Sequence, residues 1–404
     1  MLRHYLILAA RKLQRNKTSF LINIIGLSTG LACALFIFLW VQDELNVDKF
    51  NENDDQLYQV LMNADMPGET QTWNNTPGPL GSTLVNELPE VVSSTAYHNS
   101  FMRPQGILMR GNEKLQVEGL YAKPNYFTVF SYPLLIGSKE EVLSGKSNIV
   151  LSREMAVKLF GSVDEALGKM VEWKNEYFDE SFQVSGVYAH PPVSATNQFD
   201  VVISYQWLVD IDHYAEEWSG GYAATSLILQ EGTDLAALSE KMTDVYYSKR
   251  PGIDHSFKLF VQKYSDNYLY GNFENGVQSG GRIDYVKLFS LIAIFIIIIA
   301  CINFMNLSTA QSSHKMMEVG VRKTVGASRQ SLIFQFLAES FIVTIAALII
   351  ALFLVSVFLP SFNVLTGKAL ALEFTVPLVV GILCIGFITG LLSGSYPEFL
   401  PGGI

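Results

Sequence analysis

Four long apolar runs decide what this chain can fold into. They lie at about residues 20–41, 285–311, 332–360 and 374–394. Each is near or above the roughly 20 residues that an α-helix needs to cross the hydrocarbon core of a bilayer. The composition agrees, since 49% of the residues are hydrophobic and 16% are charged. Four such runs argue against buried core helices of a soluble protein. The sequence therefore predicts an integral membrane protein with four transmembrane α-helices.

The first run also has features of a cleaved secretory signal, because five Lys or Arg residues precede it. The apolar core of a signal is about 7–15 residues long, and this charge-free run is longer. We therefore interpret it as a membrane span that is retained. Cys33, Cys301 and Cys384 all fall within apolar runs, where we expect them to pack rather than to bind a metal.

Basic residues indicate how the chain crosses the membrane. Residues 1–19 carry five Lys or Arg and no acid, and 312–331 carry four against the single acid Glu318. The loop before the fourth run has one base, Lys368. By the positive-inside rule, the N-terminus and 312–331 are predicted to be cytoplasmic. Residues 42–284 are then extracytoplasmic, and the protein is expected in the bacterial cytoplasmic (inner) membrane.

The segment 42–284 predicts a large soluble domain of mixed α/β class. Strand-like stretches such as 182–189 are interleaved with helical patterns. One such helix is predicted to begin after Ser152 as N-cap and to end at Gly161. The turn at 190–192 is interpreted as a separator of two lobes. With 34 acids and 17 bases, this segment lacks the basic face that nucleic-acid binding requires.

We find no pattern of an enzyme in the sequence. Its six histidines are isolated, and HExxH and CxxC patterns are absent. Gly145-Lys146-Ser147 resembles the end of a phosphate loop, but Glu140 stands where such a loop requires glycine. We therefore expect no catalytic residue, metal site or bound cofactor in this chain.

Small and acidic residues within the spans mark surfaces that other helices could approach. Gly26 and Gly30 lie four residues apart on one helical face, and a longer stripe of the same spacing comprises Gly386, Gly390 and Gly394. In lipid, such residues let helix backbones pack closely. Glu339 is an acid within the third run, where a carboxylate is costly. Such a carboxylate has either a functional role or a plainer one, in which it bonds a neighbouring helix or reaches the cytoplasmic interface, and we expect the plainer one.

The cytoplasmic segment 312–331 predicts more than a turn. Methionines and valines alternate there with charged residues, which suits a short helix. Gly326 is placed to end that helix and Ser328 to cap the next, which continues into the membrane. We call residues 312–331 the elbow. It is predicted to pass motion from a partner into the third span.

Several motifs resemble those of FtsX/MacB-type ABC transporter permeases. They include EVGVRKTVGASR from Glu318 and QFLAES from Gln335, NIVLS from Asn148, and SGSYP from Ser393. The resemblance covers nearly the whole chain. It implies a MacB-like periplasmic core domain followed by an FtsX-like permease domain.

The resemblance also implies what the elbow binds. In that family this segment is the coupling helix that docks on a cytoplasmic ABC ATPase. The docking residues would be Glu318, Gly320, Arg322, Lys323, Gly326 and Ala327. ATP and Mg²⁺ would be bound by the ATPase, since the chain shows no Walker motif. A homodimer or a second permease half is expected, as is a periplasmic or outer-membrane partner.

The expected function is that of a permease subunit of the mechanotransmission type, exporting or extracting a peptide, lipoprotein or drug. The alternative is a membrane-bound sensor that signals through the elbow. The chain stops soon after Pro397, where relatives continue, so we expect a fragment of an eight-span permease or a half-transporter.

The predicted organisation is a membrane protein with four transmembrane α-helices and a mixed α/β extracytoplasmic domain between the first two. In order, the segments are an amphipathic cytoplasmic helix (1–19), the first span (20–41), the extracytoplasmic domain (42–284), the second span (285–311), the elbow (312–331), the third span (332–360), a short extracytoplasmic loop (361–373), the fourth span (374–394) and a truncated cytoplasmic tail (395–404).

Overall fold

The computed structural model describes residues 17–98, 105–174, 179–221, 223–310 and 329–395. The chain divides into two compact units. One comprises the residues up to Leu45 and from Asp284 onward, and we call it the helical unit. The other is Asn46–Ile283, and we call it the domain.

The helices and strands are numbered in chain order. The described helices are α1 (Lys17–Leu45), α2 (Leu80–Glu87), α3 (Tyr126–Val129), α4 (Arg153–Phe160), α5 (Tyr205–Ile211), α6 (Leu235–Ser248), α7 (Arg282–Ala310), α8 (Arg329–Thr366) and α9 (Val376–Ser395). The strands are β1 (Leu57–Met66), β2 (Glu69–Trp73), β3 (Val91–His98), β4 (Gln105–Arg110), β5 (Glu113–Ala122), β6 (Leu134–Ile136), β7 (Asn148–Ser152), β8 (Met170–Lys174), β9 (Asp179–Tyr188), β10 (Val201–Ser204), β11 (Ala224–Leu229), β12 (Phe257–Lys263), β13 (Asn272–Glu274) and β14 (Val277–Gly280).

The helical unit contains the apolar helices. Among the described residues, Leu21–Leu45, Arg282–Asn306 and Ser340–Thr366 are long and apolar enough to cross a membrane. The apolar part of α9 is shorter, Val376–Leu391. Three candidate spans are therefore found, and the fourth stays a prediction.

Helix α8 extends past the predicted end of the third span. The sequence predicts that this span ends at 360 and that a loop follows, whereas α8 continues through Pro360 to Thr366. In the structure Phe362 instead stacks on Phe36 of α1, and the Thr366 hydroxyl donates to the Phe362 carbonyl at 2.8 Å. Gly367, at φ +65°, then allows the chain to leave the helix.

The domain is built on one large sheet with two parts. In the first, β4, β5, β10, β7, β9 and β8 pair in that order, and β8 pairs with β4 again, which closes a six-stranded barrel. In the second, β3, β11, β1 and β12 lie side by side, and all their pairings are antiparallel. With α2 and α6 these strands form a β–α–β–β–α–β subdomain. The barrel is inserted between its second and third strands.

Each part has its own core, and a third cluster lies between them. The barrel buries apolar residues such as Trp173 and Phe182. The second part buries Leu84 and Met242 between helices and sheet. The third cluster is aromatic, and residues of both parts contribute to it: Tyr97, Tyr126, Phe127, Phe130, Tyr132, Tyr188, Phe199 and Tyr264. It joins the barrel to the β–α–β–β–α–β subdomain.

Two local predictions for the domain are confirmed, and the prediction of how it divides into lobes is wrong. The N-cap is confirmed, because the Ser152 hydroxyl accepts from the Met155 amide at 3.3 Å. The stop is confirmed as well, since Gly161 has φ +85°. The expectation that 190–192 separates two lobes is wrong. That turn connects β9 to β10, which both belong to the barrel.

Candidate functional site

The helical unit is organised around the pairing of α1 with α8. Four residues of each helix, spaced four positions apart, are buried in one shared apolar cluster. They are Leu27, Leu31, Leu35 and Leu39 from α1, and Ala347, Ala351, Val355 and Leu359 from α8. This spacing places each set on one helical face. Phe36 and Phe362, both in the C-terminal halves of their helices, stack with ring centroids 4.8 Å apart. The two helices are therefore parallel.

Helix α7 packs antiparallel to α1. The early residue Gly26 faces the late residue Asn303, and a Cβ on Gly30 would lie 2.7 Å from the Ala300 Cβ. At the other end, Trp40 of α1 meets Phe289 of α7 with ring centroids 5.0 Å apart. Gly26 and Gly30 thus mark the side of α1 on which α7 lies.

Helix α9 packs antiparallel to α8. A Cβ on Gly390 would lie 2.7 Å from the Phe341 ring, and one on Gly386 would lie 3.5 Å from Leu348. Gly394 lies in the last turn of α9, and its surroundings are outside the described residues. Gly390 is therefore a tight contact and Gly386 an ordinary one.

These directions place the chain connections at opposite ends of the helical unit. The C-terminus of α1 and the N-terminus of α7, between which the domain is inserted, share one end. The N-terminus of α8 and the C-terminus of α7, which flank the elbow, share the other. The six predicted docking residues (Glu318, Gly320, Arg322, Lys323, Gly326 and Ala327) lie outside the described residues. Glu339 lies within α8, but its side chain is also outside them.

A charged cluster at the end of α1 was not predicted from the sequence. The Lys368 ammonium lies 2.7 Å from the Asp43 carboxylate and 2.8 Å from that of Glu44. The Glu44 side chain is 1% exposed and that of Lys368 is 18% exposed. Hydrogen bonds to both carboxylates hold the pKa of Lys368 above its usual value, against the opposing effect of burial. We call these three residues the Lys368 cluster.

Within the domain, the chain that follows α1 is held by a second set of polar contacts. The Asp48 amide donates to the Ser194 carbonyl at 2.8 Å. Its carboxylate accepts from the Thr196 amide at 2.8 Å and from the Thr196 hydroxyl at 2.5 Å. Burial raises the pKa of Asp48 above its usual range, although these hydrogen bonds act in the opposite direction. The ring of Phe50, two residues later, packs against that of Tyr132 in the aromatic cluster, with ring centroids 5.3 Å apart.

The domain end that leads into α7 is fixed separately. The Ile283 amide donates to the Leu269 carbonyl at 3.0 Å. The Arg282 guanidinium lies 4.7 Å from the centre of the Tyr268 ring and donates to the Tyr268 hydroxyl. The chain segments at both borders of the domain are thus bonded to its interior.

The described part of the domain offers little that resembles catalytic chemistry. No group of three or more His, Cys, Asp or Glu able to hold a metal occurs among the described residues. A cavity of 510 Å³ is lined by acids including Glu52, Asp54, Asp55 and Glu231. Lys263 binds Asp54 and Asp55 at 3.0 and 2.7 Å. These bonds raise the pKa of Lys263 to about 12.

Two known domain families match the sequence of this chain. The sequence profile of the MacB-like periplasmic core domain matches residues 20–245, more than half of the chain. That of the FtsX-like permease C-terminal domain matches residues 290–397. The chain belongs to the FtsX/MacB-type ABC transporter permeases. It is accordingly a multi-pass protein of the inner membrane, and Asn46–Ile283 is its extracytoplasmic α/β domain.

Individual relatives of this permease match over shorter stretches. The macrolide export ATP-binding/permease protein MacB of Bdellovibrio bacteriovorus is 31% identical over 112 residues, which cover 27% of this chain and 17% of that protein. The chain thus spans well under two thirds of that relative. A domain of a putative permease from Porphyromonas gingivalis has TM-score 0.45 and 16% identity, covering 53% of this chain and 93% of that one. The periplasmic region of MacB from Actinobacillus actinomycetemcomitans has TM-score 0.36 and 18% identity, covering 52% and 89%.

Proposed function

We propose that this permease works by mechanotransmission, relaying ATP-driven motion of a separate ATPase to its extracytoplasmic domain. The parallel packing of α8 on α1 carries the proposal. Helix α8 begins at Arg329, within the elbow. Helix α1 ends at Leu45, where the chain enters the domain. When the elbow moves, α8 passes that motion to α1, which leads directly into the domain.

The mechanical properties of α8 support this role. It has 38 residues, which at 1.5 Å per residue makes it about 57 Å long. Its contact with α1 is apolar and buried, and it includes Leu27 and Leu31 of α1 with Ala351 and Val355 of α8. Close-packed interfaces of this kind transmit displacement because they deform little.

Each part of the chain has a place in this mechanism. The N-terminus and the elbow face the cytoplasm, and α9 crosses the membrane as a fourth span. An ABC ATPase docks on the elbow and binds ATP and Mg²⁺, and this chain holds no cofactor. A second copy or a second permease half completes the transporter, with a periplasmic or outer-membrane partner beyond it. The cargo is a peptide, lipoprotein or drug that is exported or extracted.

Co-purification from bacterial membranes tests the docking. The tagged wild-type chain should retain an ABC ATPase, identified by mass spectrometry and by vanadate-sensitive phosphate release. We expect Glu318→Lys and Arg322→Glu each to lower the retained ATPase by about tenfold, corresponding to roughly 1.4 kcal/mol of binding free energy. Lys287→Glu is the matched control, because Lys287 is an exposed charge at the domain end of α7.

Two results would contradict the proposal. One is a wild-type chain that retains no ABC ATPase under conditions in which it is folded and membrane-bound. The other is full retention of the ATPase by both elbow variants, which would show that the elbow is not the docking segment.

A further inference from the structure

The Lys368 cluster joins two elements that the proposed function requires to move together. We propose that Lys368 is a positioning residue that ties the far end of α8 to the last turn of α1, so that displacement of α8 reaches the chain entering the domain. This inference rests on the proposed function for its purpose. Its structural content, a tie between α8 and the end of α1, is tested independently.

The end of α1 needs a cation from elsewhere. Asp43 and Glu44 occupy the last turn of α1, and that turn contains no basic residue. Acids at a helix C-terminus are unfavourable, because the helix dipole places partial negative charge there. Lys368 supplies the compensating charge from beyond α8. One ammonium thus bonds both Asp43 and the nearly fully buried Glu44.

Lys368 is held rigidly with respect to α8. Its amide donates to the Asn363 carbonyl at 3.1 Å. The Asn363 side chain donates to the Leu370 carbonyl at 2.9 Å and accepts from the Leu370 amide at 3.1 Å. Asn363 belongs to the last turn of α8, so this hydrogen-bonded turn moves with the helix and carries Lys368 with it.

An exposed ion pair at the same end of the helical unit provides a contrast. Lys287 and Asp284 of α7 lie 3.7 Å apart, and their side chains are 69% and 62% exposed. Exposed pairs contribute little, whereas removing one partner of a buried pair is strongly destabilising. The Lys368 cluster has the shorter distances and the lower exposure. It joins two helices, whereas the exposed pair lies within one.

Hydrogen exchange on the full-length chain in nanodiscs, without nucleotide, tests the tie. Lys368→Met keeps the length of the side chain and removes its charge. We expect exchange of the amides of residues 42–49 to accelerate by about tenfold or more. Lys368→Arg should keep exchange near the wild-type rate, and so should the control Lys287→Met. The amides of residues 347–359, in the α1–α8 contact, should be unchanged in all variants.

A neutralised cluster separates positioning from stability. The triple variant Asp43→Asn, Glu44→Gln, Lys368→Met removes the charges of all three residues together, so its melting temperature should stay near that of the wild type. The ATPase that co-purifies with this variant should still hydrolyse ATP at more than half the rate of the ATPase that co-purifies with the wild type. The ATP-dependent change in exchange at residues 46–52, expected in the wild type, should be lost.

The outcomes distinguish this inference from the proposed function. Wild-type exchange at 42–49 in Lys368→Met overturns the tie, whether or not an ATPase is found. An ATP-dependent change that persists in the triple variant overturns its role in coupling. If no ATPase is retained by the wild type, the proposed function fails, and the nucleotide-free comparison alone decides whether Lys368 ties the helices.

Discussion

The Asp48 carboxylate accepts two hydrogen bonds from Thr196, one from its amide at 2.8 Å and one from its hydroxyl at 2.5 Å. Asp48 lies three residues after α1, and Thr196 lies in the connection between β9 and β10 of the barrel. Asp48 is 2% exposed and has φ +61°. The chain leaving the first span is thus fixed to the barrel by a buried side chain in a left-handed backbone conformation.

The first prediction concerns the two requirements at position 48. Asp48→Asn keeps the acceptor for the Thr196 amide and suits the left-handed region, which Asn tolerates. Asp48→Ala leaves that amide unpaired and disfavours the backbone conformation. We expect Asp48→Ala to lower domain stability by about 2–4 kcal/mol and Asp48→Asn by less than about 1 kcal/mol. Thermal unfolding of the detergent-solubilised chain, followed by tryptophan fluorescence, measures this. Equal losses in both variants would contradict it.

The second prediction concerns pH. Burial raises the pKa of Asp48 above its unfolded value of 3.8. Its contribution to stability is therefore complete below pH 3.8 and is lost as pH rises through the folded-state pKa. Asp48→Asn has no such loss. We expect the melting temperature of Asp48→Asn minus that of the wild type to increase between pH 4 and pH 7. A difference that is independent of pH would show that Asp48 is not held towards its neutral form.

The sequence predicts local features of this protein better than long-range ones. The helix stop at Gly161 and the cap at Ser152 depend on a few neighbouring residues, and both are found. The continuation of α8 past Pro360 depends on Phe36, which is far away in the chain, and the prediction missed it. The closed barrel depends on pairing β4 with β8 and β5 with β10. No local pattern encodes such pairings.

The same distinction holds for the candidate site. Asp43 and Glu44 stand at the unfavourable end of α1, which is a sequence signal for a missing cation. The pattern does not say that Lys368 provides it, because that requires knowing that α1 and α8 are parallel. Likewise, the spacing of Gly26 and Gly30 does not specify Asn303 and Ala300. The roles of the elbow residues stay predictions.

The third prediction concerns the contact of Gly30 in α1 with Ala300 in α7. A Cβ on Gly30 would lie 2.7 Å from the Cβ of Ala300, closer than the packing allows, whereas one on Gly386 would lie 3.5 Å from Leu348. We expect Gly30→Ala to destabilise the helical unit by about 1–3 kcal/mol. Adding Ala300→Gly should restore much of the loss. Gly386→Ala is the control and should have little effect. Melting temperatures of the three variants and the wild type in detergent test this, and a Gly386→Ala loss equal to that of Gly30→Ala would contradict the prediction.

The fourth prediction concerns the exposed edge of the domain sheet. Strand β12 ends the sheet order, and an unpaired edge strand can recruit a strand from another molecule. Two side chains of α6 occupy this edge. The Tyr247 hydroxyl donates to the Phe257 carbonyl and accepts from its amide, both at 2.8 Å. The Thr243 hydroxyl accepts from the Leu259 amide at 3.0 Å.

Removing these hydroxyls should expose the edge without disturbing the core. We expect the double variant Thr243→Val, Tyr247→Phe to lose roughly 1–3 kcal/mol of domain stability. It should also aggregate at lower temperature than the wild type, as measured by light scattering during heating. Ser239→Ala is the matched control, because the Ser239 hydroxyl donates within α6 to the Leu235 carbonyl. If the double variant aggregates at the same temperature as the wild type, the two hydroxyls of α6 do not protect β12.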